Sequence, residues 1–155
     1  DGYINYSLAQ VYQMLGDSER ALEQYRIAAT KQKNDPEIQY VLGHALLANE
    51  DEEGAVEAFL AASAAAPNDY MLQYEVLSIL NELEATEAAA IVDARIEDLF
   101  RRMEEQQRLL EQQQQMQQQP SQQELMEMLD EAARAAQERQ SSEQGQAGEA
   151  AEAEE

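Results

Sequence analysis

A single histidine and one dense acidic cluster are the residues of this sequence with most capacity for chemistry. His44 could serve as a general base or a metal ligand, but such sites need an orienting partner, so we interpret it as a wall residue of a helix. The cluster of residues 50–53 (EDEE) lacks the alternating ligands and central glycine of a calcium loop, and acidic residues suit the first turn of a helix. Glycines are nowhere clustered to cradle phosphate. The sequence therefore predicts no catalytic residue, no metal site and no cofactor.

Charge narrows the class of partner. Among 155 residues, 10 Lys and Arg stand against 32 Asp and Glu, a formal net charge of −22. Such a field repels phosphate backbones and anionic lipid headgroups, so neither nucleic acid nor a membrane is an expected partner. No apolar run approaches the roughly 18 residues that span a bilayer. We expect a soluble protein, cytoplasmic by slight preference, or periplasmic if a signal peptide was removed. The chain begins at Asp1, without Met or a targeting segment, as a processed product or a piece of something longer would.

A spacing of 34 residues recurs over the first two thirds of the chain. A fixed period of this length is typical of stacked units whose apolar faces are covered by their neighbours. Abundant Ala, Glu, Gln and Leu predict that these units are helical. Three independent ladders share the period: Tyr6, Tyr40 and Tyr74; Ala21, Ala55 and Ala89; and Leu8, Leu42 and Val76.

These positions resemble the tetratricopeptide repeat. That pattern places a large residue, Leu, a small residue and Tyr on a first helix, then Ala, an aromatic residue and Pro on a second. The first repeat matches at Asn5, Leu8, Ala9, Tyr12, Ala21 and Tyr25. The second matches at Gln39, Leu42, Gly43, Leu46, Ala55, Phe59 and Pro67.

The third repeat is degenerate. It keeps Val76, Leu80 and Ala89, but Leu77 stands at the small position and Asp93 at the aromatic one. The large first position is polar in all three repeats. The resemblance implies an all-α, right-handed α-solenoid of two clear hairpins and one degenerate hairpin over residues 1–96. The long C-terminal helix and the acidic tail that we expect after it lie outside the resemblance.

Turn and capping residues agree with this register. Gly16 and Asp17 can end one helix and cap the next, and Asp35 before Pro36 combines an N-cap with a first-turn proline. The predicted helices of this part of the chain cover residues 3–15, 18–32, 36–49, 52–65, 70–82 and 86–118.

Residues 86–118 contain no helix breaker. Ile96, Leu99, Met103 and Leu110 lie at coiled-coil spacing before the seam fades into glutamines. Two interpretations stay open for this long Gln-rich helix. It is either a cap that covers the last repeat, or a short coiled coil or partner-binding arm.

A second helical segment is predicted after Pro120. Ser121 and Glu124 match a capping box that opens an amphipathic helix over residues 121–139. This helix either folds back or frays, or else docks on a partner. Residues 140–155 have almost nothing to bury and are predicted to be disordered.

The resemblance also implies that the first helices line a concave groove. Aromatic rings and carboxylates dominate that groove, and the lack of Lys and Arg argues against the clamp with which chaperone-binding members grip an acidic carboxylate. We expect it to bind an apolar or basic segment of another protein. The alternative is that its tyrosines only fill the space between adjacent first helices. The implied groove residues are Tyr3, Tyr6, Gln10, Tyr40, Val41, His44, Leu47, Met71, Tyr74, Glu75 and Ser78.

Two functional hypotheses follow. The first is a non-catalytic interaction module, an adaptor, scaffold or chaperone-like protein that works by groove occupancy. The second is a structural assembly subunit, a weak homo-oligomer that self-associates through the long C-terminal helix or through the first repeat, where Tyr3 and Ile4 would be exposed. Fold alone does not choose between them.

Overall fold

The computed structural model describes residues 1–154 and is helical nearly throughout. Over those residues there is no strand, and the predicted all-α helical repeat is confirmed. The first six helices agree with the predicted ranges to within one residue at each end. The helices are α1 (Gly2–Met14), α2 (Ser18–Lys31), α3 (Pro36–Ala48), α4 (Glu52–Ala65), α5 (Tyr70–Glu82), α6 (Thr86–Gln118) and α7 (Gln122–Glu152).

Each hairpin begins at an aspartate. The side chains of Asp1, Asp35 and Asp69 cap α1, α3 and α5, where they accept hydrogen bonds from backbone N–H groups of the first turn. These donors have no partner inside a helix, so the caps satisfy them. The three caps are again 34 residues apart, and the period is therefore set by helix ends as well as by the core.

The turn inside each hairpin has the same geometry. Gly16, Glu50 and Glu84 have positive φ angles of 77°, 61° and 56°. The N–H of the residue after each one donates to a carbonyl five residues back, at 2.9 Å in all three turns. This left-handed ending is a common helix C-cap that suits glycine, whereas glutamate pays a steric cost there. The sequence predicted it only at Gly16, because the other two positions carry no glycine.

The second helix of each hairpin is capped unequally. Asp17 and Asp51 accept backbone N–H groups at the starts of α2 and α4, but the residue in phase with them before α6 is Ala85, which has no acceptor. We predict that Ala85→Asp raises the free energy of unfolding by about 1 kcal/mol. Urea denaturation measures this, and Ala85→Asn is the matched control because it supplies the acceptor without the charge. A neutral or destabilising effect of both variants would contradict the assignment.

Small residues let the helices of a hairpin pack closely. Close backbone approaches join α1 with α2 and α3 with α4, and they continue from α2 to α3 and from α4 to α5. A Cβ atom added at Gly43 would lie 2.7 Å from the ring of Phe59, so the ring rests directly on the α3 backbone. Bulky Leu77 occupies this position in the third hairpin, whose two helices do not approach as closely.

Buried amides tie consecutive hairpins together. Gln73 is fully buried at the start of α5, and its amide group donates to the carbonyls of Ser63 and Ala66 at the end of α4, at 3.0 and 2.8 Å. Its carbonyl accepts from the Ser63 hydroxyl. Gln39, in phase in α3, donates to the carbonyl of Lys33 at 3.2 Å. In the second and third repeats the polar first position therefore satisfies backbone carbonyls at or just after the end of the preceding helix.

The chain divides into two units at Glu105. The first unit extends beyond the predicted array end at residue 96 because Ile96 and Leu99 are both buried in it. These two side chains were predicted to open a coiled-coil seam. Both are instead buried in the array, and Met103 and Leu110 are the exposed members of that seam.

The second unit contains the remainder of α6 and α7. Ser121 and Glu124 form the predicted capping box at the start of α7. The predicted end of this helix at residue 139 is wrong, because α7 runs to Glu152 through residues predicted to be disordered. Alanine, glutamate and glutamine are strong helix formers, and their propensity outweighs the lack of buried side chains. Residue 155, the last of the predicted tail, lies outside the described residues.

Candidate partner-binding surface

The residues implied to line a groove lie on the three first helices of the array, which we call the first-helix surface. Seven of them are exposed, while Tyr6, Tyr40, Val41 and Leu47 are half-buried. Val41 and Leu47 also pack against core clusters, so they serve the fold as well. Helix α1 carries Tyr3, Tyr6 and Gln10, α3 carries Tyr40, Val41, His44 and Leu47, and α5 carries Met71, Tyr74, Glu75 and Ser78.

Phenol and carboxylate pairs connect neighbouring first helices. The Tyr3 hydroxyl donates to Asp35 at 2.7 Å, and the Tyr6 hydroxyl donates to Glu37 at 2.9 Å. Asp35 uses its other oxygen to cap α3, so one carboxylate holds both the helix start and the preceding hairpin. The sequence analysis did not predict that Asp35 and Glu37 accept hydrogen bonds from these tyrosines. The only indication in the sequence was that each pair is separated by slightly less than one repeat, 32 and 31 residues.

The acidic neighbours change the ionisation of these phenols. Burial and then the hydrogen bond to Glu37 raise the pKa of Tyr6 to about 12. The hydrogen bond that Tyr3 donates to Asp35 raises the pKa of Tyr3. Burial, followed by the charge of Glu75, raises the pKa of Tyr40. The hydrogen bond from Tyr3 lowers the pKa of Asp35. At neutral pH the three phenols therefore stay protonated as donors and the Asp35 carboxylate stays charged.

The rungs of the tyrosine ladder differ in role. Tyr6 packs edge-on against Tyr25 at 6.0 Å, and Tyr40 packs against Phe59 at 5.7 Å. Both are half-buried and fill the space between helices, as the alternative interpretation expects. Tyr74, at the end of the ladder, is 48% exposed.

An exposed apolar patch surrounds Tyr74 on α5. Tyr70 and Met71 are 50% and 58% exposed, beside the exposed carboxylate of Glu75. Tyr70 was missing from the implied groove because it is the first residue of α5, where the other first helices have Gly2 and Pro36. Half-exposed aromatic and thioether side chains next to a carboxylate can contact an apolar segment that carries positive charge.

His44 belongs to an aromatic cluster. Its ring lies 4.7 Å from Tyr40 and 5.1 Å from Phe59, with both pairs edge-on. This agrees with its interpretation as a wall residue. Over residues 1–154, no three His, Cys, Asp or Glu side chains converge as metal ligands would. None of the helices in the same range combines the length and apolarity that crossing a membrane requires.

Comparison with known proteins agrees with the repeat register. The family profile described as tetratricopeptide repeat matches residues 36–69, which cover α3, α4 and the linker to the N-cap of α5. The hairpins on either side of these residues share the aspartate cap of the first helix and the left-handed turn. Such repeats are protein–protein interaction modules. No curated protein matches the chain.

Proposed function

We propose that the first-helix surface binds an apolar segment of another protein that carries Lys or Arg. The mechanism is non-covalent occupancy, with a role as an adaptor, scaffold or chaperone-like module. The observation that carries the proposal is the exposed patch of Tyr70, Met71 and Tyr74 beside Glu75. Tyrosine offers a large contact area at a low entropic cost, and such residues are enriched in binding surfaces.

Charge favours the basic component of the partner. Asp35, Glu37 and Glu75 lie along the first-helix surface, and the groove residues include no Lys or Arg. The first two carboxylates also accept hydrogen bonds from tyrosine hydroxyls. A segment with positive side chains gains from this potential, whereas an acidic one is repelled.

A peptide-binding measurement tests the proposal. The probe is a short fluorescent peptide of Leu, Phe and Lys, compared with the same peptide in which Glu replaces Lys. We expect the full chain to bind the first and not the second, and Tyr74→Ala to weaken binding about tenfold, as the loss of an aromatic anchor does. Fluorescence polarisation gives the affinities.

The controls separate the patch from general acidity. Tyr74→Ala leaves the net charge at −22, so its effect cannot come from altered electrostatics. Met116→Ala removes an exposed apolar side chain of the second unit and should leave the affinity unchanged. Tyr40→Ala is a poorer test, because that ring also packs on Phe59. Equal binding by the wild type and Tyr74→Ala would place the peptide elsewhere and reject the proposal.

A further inference from the structure

Two further grooves lie between the second helices of neighbouring hairpins. The α2–α4 groove, of about 510 Å³, has Leu42 and Leu46 of α3 among its lining residues. The α4–α6 groove, of about 470 Å³, lies between α4 and the start of α6. Neither contains any of the residues implied for the first-helix surface. They are therefore separate from the candidate partner-binding surface described above.

The α2–α4 groove is lined by charged groups. The guanidinium of Arg26 on α2 lies 3.4 Å from the carboxylate of Asp51, which caps α4, so an ion pair joins the two helices. The exposed side chains of Glu53 and Glu57 also line this groove. An apolar segment placed there would remove water from these charges, which is costly. This groove is therefore unsuited to an apolar ligand.

The α4–α6 groove is apolar at the positions in phase with those charges. One repeat after Arg26, Asp51 and Glu57, the chain has Leu60, Ala85 and Ile91. Leu60 and Ala85 are half-buried, Ile91 is 46% exposed, and half-buried Val56 lies beside them. Since leucine and alanine cannot form an ion pair, no charge joins the helices at this place.

This exchange of residues does not serve the fold. Ala85 leaves the start of α6 without the side-chain acceptor that Asp51 supplies to α4, and Ile91 exposes an aliphatic side chain. Positions at which a sequence departs from its own local pattern are expected at functional sites. An apolar groove with a polar rim is likewise typical of an interaction surface.

Charge and spacing indicate the kind of partner. The charged side chains that line the α4–α6 groove are those of Glu84 and Glu87, both exposed, so Lys or Arg on a partner would complement them. Val56 and Leu60 are four residues apart on α4, as Glu87 and Ile91 are on α6. Ridges with this spacing accept the side chains of a third helix.

We propose that the α4–α6 groove binds an amphipathic helix of another protein. Two aliphatic side chains one turn apart occupy the groove, and Lys or Arg residues of the same helix lie beside Glu84 and Glu87. This site goes beyond the function proposed above, because it uses other helices of the array. One chain then has two binding surfaces, one on its first helices and one on its second helices.

NMR on the full chain with labelled methyl groups locates the site. The probe is a helical peptide of Leu, Ala and Lys with leucines one turn apart, added to the Tyr74→Ala chain so that the patch on α5 is disabled. We expect saturable shifts of the Val56, Leu60 and Ile91 methyl groups, and none with a peptide in which Glu replaces Lys. A peptide that leaves these methyl groups unshifted overturns the proposal, whatever happens at Tyr74 in the wild type.

Two variants of the groove test its role in the Tyr74→Ala background. Ile91→Ala should raise the dissociation constant about tenfold, as the loss of an interface anchor does. The pair Leu60→Arg and Ala85→Asp supplies the residue types of the α2–α4 ion pair, adds one charge of each sign and so keeps the net charge at −22. It should abolish binding. Far-UV circular dichroism checks the fold, and Ile91→Ala decides the matter if the paired variant does not fold.

Controls separate the groove from apolar surface in general. Leu109→Ala removes a side chain of the second unit that is 56% exposed and should leave the affinity unchanged. Equal affinities of Ile91→Ala and its parent chain overturn the proposal. Sedimentation velocity covers the remaining occupant: self-association of the wild-type chain that Ile91→Ala abolishes would assign the groove to a second copy and overturn the proposal as well.

Discussion

Phe59→Ala is expected to lower the free energy of unfolding by about 3–5 kcal/mol, the usual cost of removing a fully buried phenylalanine. Its ring is inaccessible to solvent and contacts Tyr40, His44 and the backbone at Gly43, so the cavity would open at the centre of the second hairpin. Urea denaturation followed by circular dichroism measures the loss. The other phenylalanine, Phe100, is 43% exposed, and Phe100→Ala should cost far less.

The contact between Phe59 and Gly43 can be tested in reverse. Gly43→Ala places a methyl group against the ring and should cost about 1–3 kcal/mol, as overpacking does. In the Phe59→Ala background the same methyl group has space, so its cost should disappear. Additive effects of the two substitutions would show that the ring does not rest on the α3 backbone. Ala94→Gly, at an exposed position inside α6, controls for the intrinsic helix propensity of glycine and alanine.

Gln73→Leu is expected to cost about 3 kcal/mol and to affect the third hairpin more than the others. The substitution leaves one buried and one part-buried carbonyl at the end of α4 without a donor, and the Ser63 hydroxyl without its acceptor. Each orphaned group costs about 1–3 kcal/mol, although the Arg95 side chain still donates to the Ser63 oxygen and moderates the loss.

Gln39→Leu is the matched control for this amide. It stands at the same place in the second repeat but makes one hydrogen bond to a carbonyl, and it should cost about 1 kcal/mol. Hydrogen exchange adds a regional measure: amides of α5 should exchange faster in Gln73→Leu, with those of α1 and α2 unchanged. A uniform change along the array, or equal costs for the two variants, would contradict the role assigned to Gln73. Because α5 carries Met71 and Tyr74, the same variant is expected to loosen the candidate binding patch.

Helix ends were the most predictable part of the fold, because their signals are local. Asp35 with Pro36, and Gly16 with Asp17, specify caps through the residue types themselves. The turns at Glu50 and Glu84 carried no such signal, since the hairpin geometry imposes a left-handed conformation that glutamate does not prefer. Only the phase with Gly16 pointed to them.

The side-chain partners were less predictable because they depend on neighbouring hairpins. Gln39 and Gln73 are polar where the repeat pattern has a large apolar residue, and only the structure shows the backbone carbonyls to which their amides donate. Ile96 and Leu99 have the spacing of a coiled-coil seam, yet both are buried in the array. The spacing of Tyr6, Tyr40 and Tyr74 did not predict which of these side chains fill the space between helices. Their exposure depends on whether another first helix packs next to them, and Tyr74 lies on the last first helix of the array.

The helix caps and turns of the array also bear on how such a chain can change length. An aspartate opens each hairpin at residues 1, 35 and 69, and the left-handed residue falls at the same offset in each. Residues 35–68 consequently form a cassette whose two junctions are alike, so a duplicated copy would enter between existing hairpins without a phase error. The array can thus lengthen in whole-hairpin increments while its first and third hairpins stay unaltered.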